Sequence, residues 1–110
     1  MTDREMLELA VKALGMPEAP KQYRIADGLP IVITYMGKPW NPRTDDGDAL
    51  RLAVYLEFEI DITSTGVAVR TRCGLKVLVN KTEEPDLCAA ARLAITRAAA
   101  EIGRKMEETK

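Results

Sequence analysis

The amino-acid sequence predicts an α+β domain in which helices cover a largely antiparallel sheet, an arrangement like an αβα sandwich. The chain has 110 residues, the usual length of one domain, and its 46% hydrophobic and 30% charged residues are typical of globular proteins. Apolar residues recur every three or four positions in some segments and every second position in others. We therefore expect one domain, residues 1–110, with the element order α-β-β-α-β-β-β-α.

The first predicted element is an amphipathic helix within residues 1–16. Thr2 or Asp3 can cap its N-terminus, and Gly15 and Pro17 end it. One stripe of this helix is apolar and should face the core. It consists of Met6, Leu7, Ala10, Val11 and Leu14.

Residues 22–36 predict two strands joined by a turn. The strands are Gln22–Ile25 and Ile31–Met36, and Asp27-Gly28 lies between them. The second strand is apolar on both faces, which indicates an interior position in a sheet. Residues 37–42 contain two prolines, which lack the backbone donor that a strand needs, so we expect an irregular loop there.

A second helix is predicted over residues 46–57. After its first turn only Arg51 and Glu57 carry charge, and the other side chains are apolar nearly all round the helix. A helix with this pattern is typically surrounded by other elements, so we expect it to be buried on most sides.

Alternation of apolar and polar residues predicts a three-strand antiparallel meander over residues 58–80. Ser64-Thr65-Gly66 and Cys73-Gly74 supply its turns. A last helix is predicted over residues 84–106, with Pro85 in its first turn. Its alanines should allow close packing against the sheet, and its apolar stripe is Leu87, Ala91, Ile95, Ala98, Ile102 and Met106.

Three aspartates, Asp45, Asp46 and Asp48, precede or begin the second helix. Clustered carboxylates can bind a hard cation, but Gly47 stands at the wrong position for an EF-hand and no glutamate closes such a loop. The same side chains can instead cap the helix, with Thr44 or Asp45 at the N-cap and Asp48 answering as in a capping box. We favour capping and expect no metal site.

Trp40 has two interpretations. A tryptophan between prolines can anchor a partner protein, or it can seal its loop onto the core. The second interpretation is favoured because the chain has few aromatic residues to fill a core. The candidate interaction residues are Trp40, Arg43, Asp45 and Asp46.

A basic face is predicted on the meander, where Arg70, Arg72 and Lys76 share the polar side. It is the alternative candidate site, for nucleic acid. The net charge of −1 and the absence of interleaved aromatic residues argue against nucleic-acid binding, and Glu59 and Asp61 should stand on the same face.

The residue types of most enzymes are missing from this chain. It has no histidine, the commonest general base, and no nucleophile elbow, phosphate-binding loop or HExxH motif. We therefore expect no enzyme, no catalytic residue and no cofactor. Cys73 and Cys88 cannot supply a four-ligand zinc site without histidine. We expect both to be reduced packing residues, and a disulfide between them is the alternative.

The segment Trp40–Leu56, WNPRTDDGDALRLAVYL, resembles the signature of the phage ABA sandwich domain family of small phage and prophage proteins. In that family a W-[ND]-P-x-x-DDGDA-x-R-L-A-V run is followed by strands and an alanine-rich last helix. The resemblance covers about residues 40–106. The resemblance implies helices on either side of a sheet and a location in the cytoplasm of an infected bacterium. It implies no particular activity. The residues that resemble the closing helix are Asp86, Ala90, Ala91, Ile95, Arg97, Ala98, Ala99, Ile102 and Gly103.

These observations predict a phage or prophage accessory protein that is a non-catalytic protein-interaction domain in the host bacterial cytoplasm. Its partner would be a host or phage protein, and the oligomeric state is left open. The alternative is a nucleic-acid-associated regulatory protein that uses the Arg70, Arg72 and Lys76 face. We expect no membrane segment, because no apolar run approaches the length of a spanning helix.

Overall fold

The described part of the chain has three helices and two three-stranded antiparallel sheets. The computed structural model describes residues 3–14, 21–24, 31–35 and 38–108. The helices are α1 (Asp3–Leu14), α2 (Asp46–Tyr55) and α3 (Leu87–Glu108). The strands are β1 (Lys21–Arg24), β2 (Ile31–Tyr35), β3 (Lys38–Pro39), β4 (Glu59–Thr63), β5 (Gly66–Arg70) and β6 (Lys76–Asn80). The predicted α+β class is confirmed, and the element order is as predicted apart from β3.

The first sheet has the strand order β1-β2-β3, so the predicted interior strand, β2, is its central strand. β1 and β2 pair antiparallel, with Lys21 opposite Thr34, and the predicted turn between them falls outside the described residues. The expected loop at residues 37–42 contains a strand: Lys38 pairs with Tyr35 and Pro39 with Thr34. A proline is tolerated there because β3 is an edge strand, whose outer side needs no ladder donor.

The second sheet is the predicted meander, in the order β4-β5-β6. Both pairs are antiparallel, with Ile62 opposite Val67 and Val67 opposite Val79. One face carries Val67 and Val79, which are almost fully buried, and the other face carries exposed side chains such as Lys76 and Leu78. The alternation in the sequence therefore separates a core face from a solvent face.

Helix α3 is the centre of the core. It packs against α1 on one side, against β5 and β6 on another, and against α2 on a third. Its alanines allow this close approach, because a methyl side chain adds little width to the helix. The residues of α3 that have no exposed surface are Ala90, Ala94, Thr96, Ala98, Ala99 and Ala100.

The contact between α1 and α3 is closest at Gly103. A Cβ atom placed on Gly103 would lie 1.9 Å from the carbonyl oxygen of Leu9 and 2.7 Å from its carbonyl carbon. No side chain fits at such distances, so the two helix backbones touch directly at this point. The predicted apolar stripe of α1 faces this contact, with Met6, Leu7 and Ala10 buried.

The predicted burial of α2 on most sides is wrong. Its buried residues are Asp48, Ala49, Leu52 and Ala53, whereas Leu50 is 59%, Val54 67% and Tyr55 50% exposed. The reason is that α2 packs along α3 on one side only. The helix that is surrounded is α3, whose small side chains give a weaker hydrophobic signal in the sequence.

Helix α3 begins later than expected because Asp86 caps it. The carboxylate of Asp86 accepts a hydrogen bond from the N–H of Ala89 at 2.7 Å, as an N-cap residue does. Pro85 therefore precedes the helix instead of lying in its first turn. A 3₁₀ turn, Lys81–Glu83, connects β6 to this cap.

The end of α2 fixes the start of β4. The N–H of Phe58 donates to the carbonyl of Ala53 and that of Glu57 to the carbonyl of Val54, which is the Schellman pattern of a helix C-terminus. Glu57 has a φ of 58°, a left-handed conformation that this motif requires and that usually favours glycine. After this reversal the chain enters β4 at Glu59.

The layers differ in one respect from those that the resemblance implies. In the second sheet, α3 covers the face that carries Val69, and none of the described helices covers the face that carries Arg70 and Leu78. Leu78 is 63% exposed there. Helix α1 is stacked on α3 and does not cover that outer face.

Candidate functional site

The loop before α2 is held by hydrogen bonds to Asn41 and Asp48. The side-chain oxygen of Asn41 accepts the N–H of Arg43 at 2.9 Å, and its carbonyl accepts the N–H of Asp45 at 2.9 Å. One carboxylate oxygen of Asp48 accepts the N–H of Asn41 at 2.9 Å, and the other accepts from the Arg51 guanidinium at 2.7 Å. Asp48 is 8% exposed, so these donors stabilise its buried charge.

Asp45 is the N-cap of α2. Its carboxylate accepts the N–H of Asp48 at 2.8 Å, which confirms the favoured interpretation of the acidic turn. The reciprocal half of the predicted capping box is absent, because the side chain of Asp48 is committed to Asn41 and Arg51. Asp48 therefore fixes the loop to the helix instead of closing the box on Asp45.

Two further contacts tie this loop to α3. The Nε of Arg92 donates to the carbonyl of Arg43 at 3.0 Å, and its Nη1 forms an ion pair with Asp46 at 2.5 Å. The guanidinium of Arg43 in turn contacts Glu84 at 3.0 Å, where both side chains are largely buried. Each aspartate of the cluster thus has its own partner within the protein.

Trp40 lies in the core and is 6% exposed. In this position it seals the loop onto the core and offers no surface to a partner, which is the alternative that the sequence favoured over an anchor. Of the other candidate interaction residues, Arg43 is half-buried and Asp45 and Asp46 are exposed.

An apolar groove opens beside Asp46, between α2, β4 and α3. It has a volume of about 360 Å³. Its walls are Ala49 and Leu50 from α2, Ile60 and Ile62 from β4, and Ala91 and Ile95 from α3. Asp46 and Arg92 stand at its border.

The groove lies where α3, which packs mainly against β5 and β6, leaves much of β4 uncovered. Ile62 shares the core face of the sheet with Val67, yet Ile62 is 59% exposed while Val67 is 2% exposed. Leu50 lines the groove and is exposed, and Val54, which lies one turn further along α2, is exposed as well. The sequence predicted that the apolar residues of α2 and β4 lie in the core. The excess of apolar positions around α2 was the signal that could have identified the groove.

Acidic side chains lie next to the basic residues of the predicted basic face. Arg70 lies 3.7 Å from Glu59 across the β4–β5 pair, and Arg72 forms an ion pair with Glu57. Lys76 is opposite Arg70 on β6. Of the three basic candidates, two are therefore paired with carboxylates.

Both cysteines are free thiols, and both are exposed instead of packed in the core as expected. Cys73 lies in the β5–β6 turn, where its sulfur is 3.1 Å from the hydroxyl of Thr71. That hydroxyl also accepts the N–H of Leu75 at 3.1 Å. Hydrogen bonding to Thr71, supported by the backbone of Leu75, lowers the pKa of the Cys73 thiol below its ordinary value.

The comparisons with known proteins give no match. No protein family model, no curated protein and no solved structure matches the chain. Within the residues that the structure describes, no group of three or more acidic or cysteine side chains is arranged to hold a metal ion. Among the helices of those residues, none combines the length and the apolar character needed to cross a membrane.

Proposed function

We propose that this protein is a non-catalytic protein-interaction domain that binds a partner polypeptide in the groove between α2, β4 and α3. The observation that carries the proposal is the exposure of Leu50 and Ile62 in one apolar groove, next to a core in which the valines of β5 and β6 are buried. Contiguous exposed apolar surface of this kind marks interaction sites in folded proteins.

The border of the groove is held by hydrogen bonds and an ion pair, which favours binding. Arg92 holds the loop through Asp46 and the carbonyl of Arg43, and Asp48 fixes the same loop to α2. A surface whose walls are already fixed loses little conformational entropy when a partner binds.

The resemblance of Trp40–Leu56 to phage ABA sandwich proteins supports a place for this interaction in a bacterial cytoplasm during phage infection. The partner would then be a host or phage protein. The alternative, nucleic-acid binding through Arg70, Arg72 and Lys76, has weaker support, because Glu59 and Glu57 pair with the two arginines.

The test is a pull-down from host bacterial lysate, with and without nuclease, using wild type and two leucine variants. Leu50→Asp places a charge in the groove, and Leu78→Asp places one on the opposite face of the sheet at similar exposure. Circular dichroism establishes that both variants are folded. We expect a partner protein that survives nuclease treatment, binds the Leu78→Asp variant and is lost with Leu50→Asp.

Equal capture by both variants would overturn the proposed groove. Capture only in the absence of nuclease would instead support the nucleic-acid alternative. In that case binding should fall steeply with salt and be lost when Arg70, Arg72 and Lys76 are changed to glutamine.

A further inference from the structure

One side of the groove is the free edge of a β-strand. β4 is the first strand of the β4-β5-β6 sheet, and in the described residues only β5 pairs with it. An edge strand carries backbone N–H and C=O groups that can pair with another chain.

The hydrogen bonds of the sheet show which groups of β4 are available. The N–H of Thr71 donates to the carbonyl of Leu75, and that of Lys81 donates to the carbonyl of Thr65, so the odd-numbered residues 65–71 direct their backbone groups to β6. The even-numbered residues of β5 then bond to their partners Glu59, Asp61 and Thr63 on β4. Ile60 and Ile62 are left with backbone groups that point away from β5.

The side chains on either side of this edge differ sharply in character. Ile60 and Ile62 point to the face of the sheet where the apolar groove lies. Glu59 and Asp61 point to the opposite face and are exposed. A strand added beside β4 would therefore place alternate side chains in an apolar and in an acidic environment.

The carboxylates of Glu59 and Asp61 are only weakly neutralised by basic side chains of the described residues. Asp61 forms no ion pair within the described part of the chain, and its cross-strand neighbour is Ala68. Glu59 shares only the exposed, 3.7 Å contact with Arg70. Basic side chains on an added strand would complement both carboxylates, because directly opposite charges stabilise cross-strand pairs.

The same charges disfavour a second copy of this chain as the occupant. Two β4 strands paired about a two-fold axis would bring Glu59 and Asp61 of one copy next to those of the other. Like charges directly opposite one another destabilise a sheet.

We infer that the partner is an extended segment that adds as a strand to the outer edge of β4, with apolar residues in the groove alternating with lysine or arginine beside Glu59 and Asp61. This inference rests on the proposed function and specifies its partner. Strand addition of this kind gains affinity from main-chain hydrogen bonds and specificity from alternate side chains.

A pair of short synthetic peptides tests the charge requirement by isothermal titration calorimetry. One alternates valine with lysine and the other alternates valine with glutamate. We expect the lysine peptide to bind at least about fivefold more tightly, from favourable pairs with two carboxylates. A Glu59→Lys, Asp61→Lys double variant should reverse that preference. Failure of the lysine peptide to bind, or an unchanged preference in the double variant, would overturn the inference.

N-methylated lysine peptides test strand addition itself. Methyl groups on one alternate set of amides should abolish binding, because those N–H groups face β4. Methyl groups on the other set should leave it nearly unchanged. If both methylated peptides bind equally and Leu50→Asp still prevents binding, strand addition is wrong while the proposed groove stands.

Sedimentation velocity tests the second copy as the occupant. The inference expects a monomer at the concentrations used for calorimetry. A dimer that is lost in an Ile62→Asp variant would place a second copy in the groove and would overturn the inference.

Discussion

Arg92 of α3 holds Asp46 at the start of α2, although the two residues are far apart in the sequence. The ion pair is 2.5 Å long, and the same guanidinium donates to the carbonyl of Arg43 at 3.0 Å. Arg92 is therefore a clamp between the last helix and the loop that borders the groove.

Substitution of Arg92 should lower the free energy of unfolding more than substitution of Asp46 does. Arg92 is largely buried and has two acceptors, whereas Asp46 is exposed. We expect Arg92→Met to lower the free energy of unfolding by about 1–3 kcal/mol. Asp46→Asn should lower it by less than about 1 kcal/mol. Urea denaturation measures both, and an equal loss in the two variants would mean that the contact to the Arg43 carbonyl contributes nothing.

Substitution of the two capping-turn aspartates should separate their roles. Asp45→Ala should lower stability by about 0.5–2 kcal/mol through loss of the N-cap, and Asp45→Ser should restore most of it. Asp48→Ala should cost more, because a buried carboxylate that accepts from Asn41 and Arg51 is lost. Thermal melting compares the three variants. A smaller effect at Asp48 than at Asp45 would contradict the loop-fixing role.

Glu57 offers a stabilising substitution. Its left-handed φ of 58° strains any residue with a Cβ, so Glu57→Gly should raise stability by about 0.5–1 kcal/mol. Glu57→Ala is the matched control, since it removes the same ion pair with Arg72 but keeps the Cβ. Chemical denaturation should rank the glycine variant above the alanine variant, and the reverse order would show that the strain is negligible.

Two helical glycines should respond oppositely to alanine. Gly103→Ala places a methyl group on the backbone of Leu9, and we expect a loss of about 1–3 kcal/mol as α1 and α3 separate. Gly47→Ala meets only the ends of the Asp45 and Arg51 side chains, at 3.2 and 3.3 Å. Its melting temperature should be unchanged or higher, because alanine favours the helix. Similar losses in both variants would exclude a specific role for the α1–α3 contact.

The alkylation of Cys73 should depend on Thr71. Because the pKa of Cys73 is lowered mainly by the hydroxyl of Thr71, its thiolate persists to lower pH than in an unperturbed thiol. In a Cys88→Ser background, the pH profile of iodoacetamide modification should shift upward in Thr71→Val and only slightly in Thr71→Ser. An identical profile in the valine variant would show that the hydroxyl does not stabilise the thiolate.

The local patterns of the sequence predicted the meander and the helices because their signals are short-range. Alternation placed Val67 and Val79 on the core face, and the carboxylate of Asp45 one turn before Asp48 predicted the cap. Each of these features depends on residues within a few positions in the sequence, so periodicity and capping rules can predict it.

Burial and long-range contacts were not predictable in the same way. The apolar pattern around α2 does not show whether Leu50 is buried in the core or lines an open groove. This depends on how much of the sheet α3 covers. Likewise, nothing near Asp46 in the sequence identifies Arg92 as its partner. The alanines of α3 conceal its central position, because small side chains contribute little hydrophobicity individually.

The central position of α3 also has a consequence for synthesis on the ribosome. Helix α3 follows α1, α2, β5 and β6 in the chain, yet all four pack against it. In a nascent chain that lacks α3, the elements that carry Ala10, Leu52 and Val69 are without the helix against which they pack in the described structure. We therefore expect folding to be completed only after α3 has left the exit tunnel, and until then those apolar residues are accessible to chaperones and proteases.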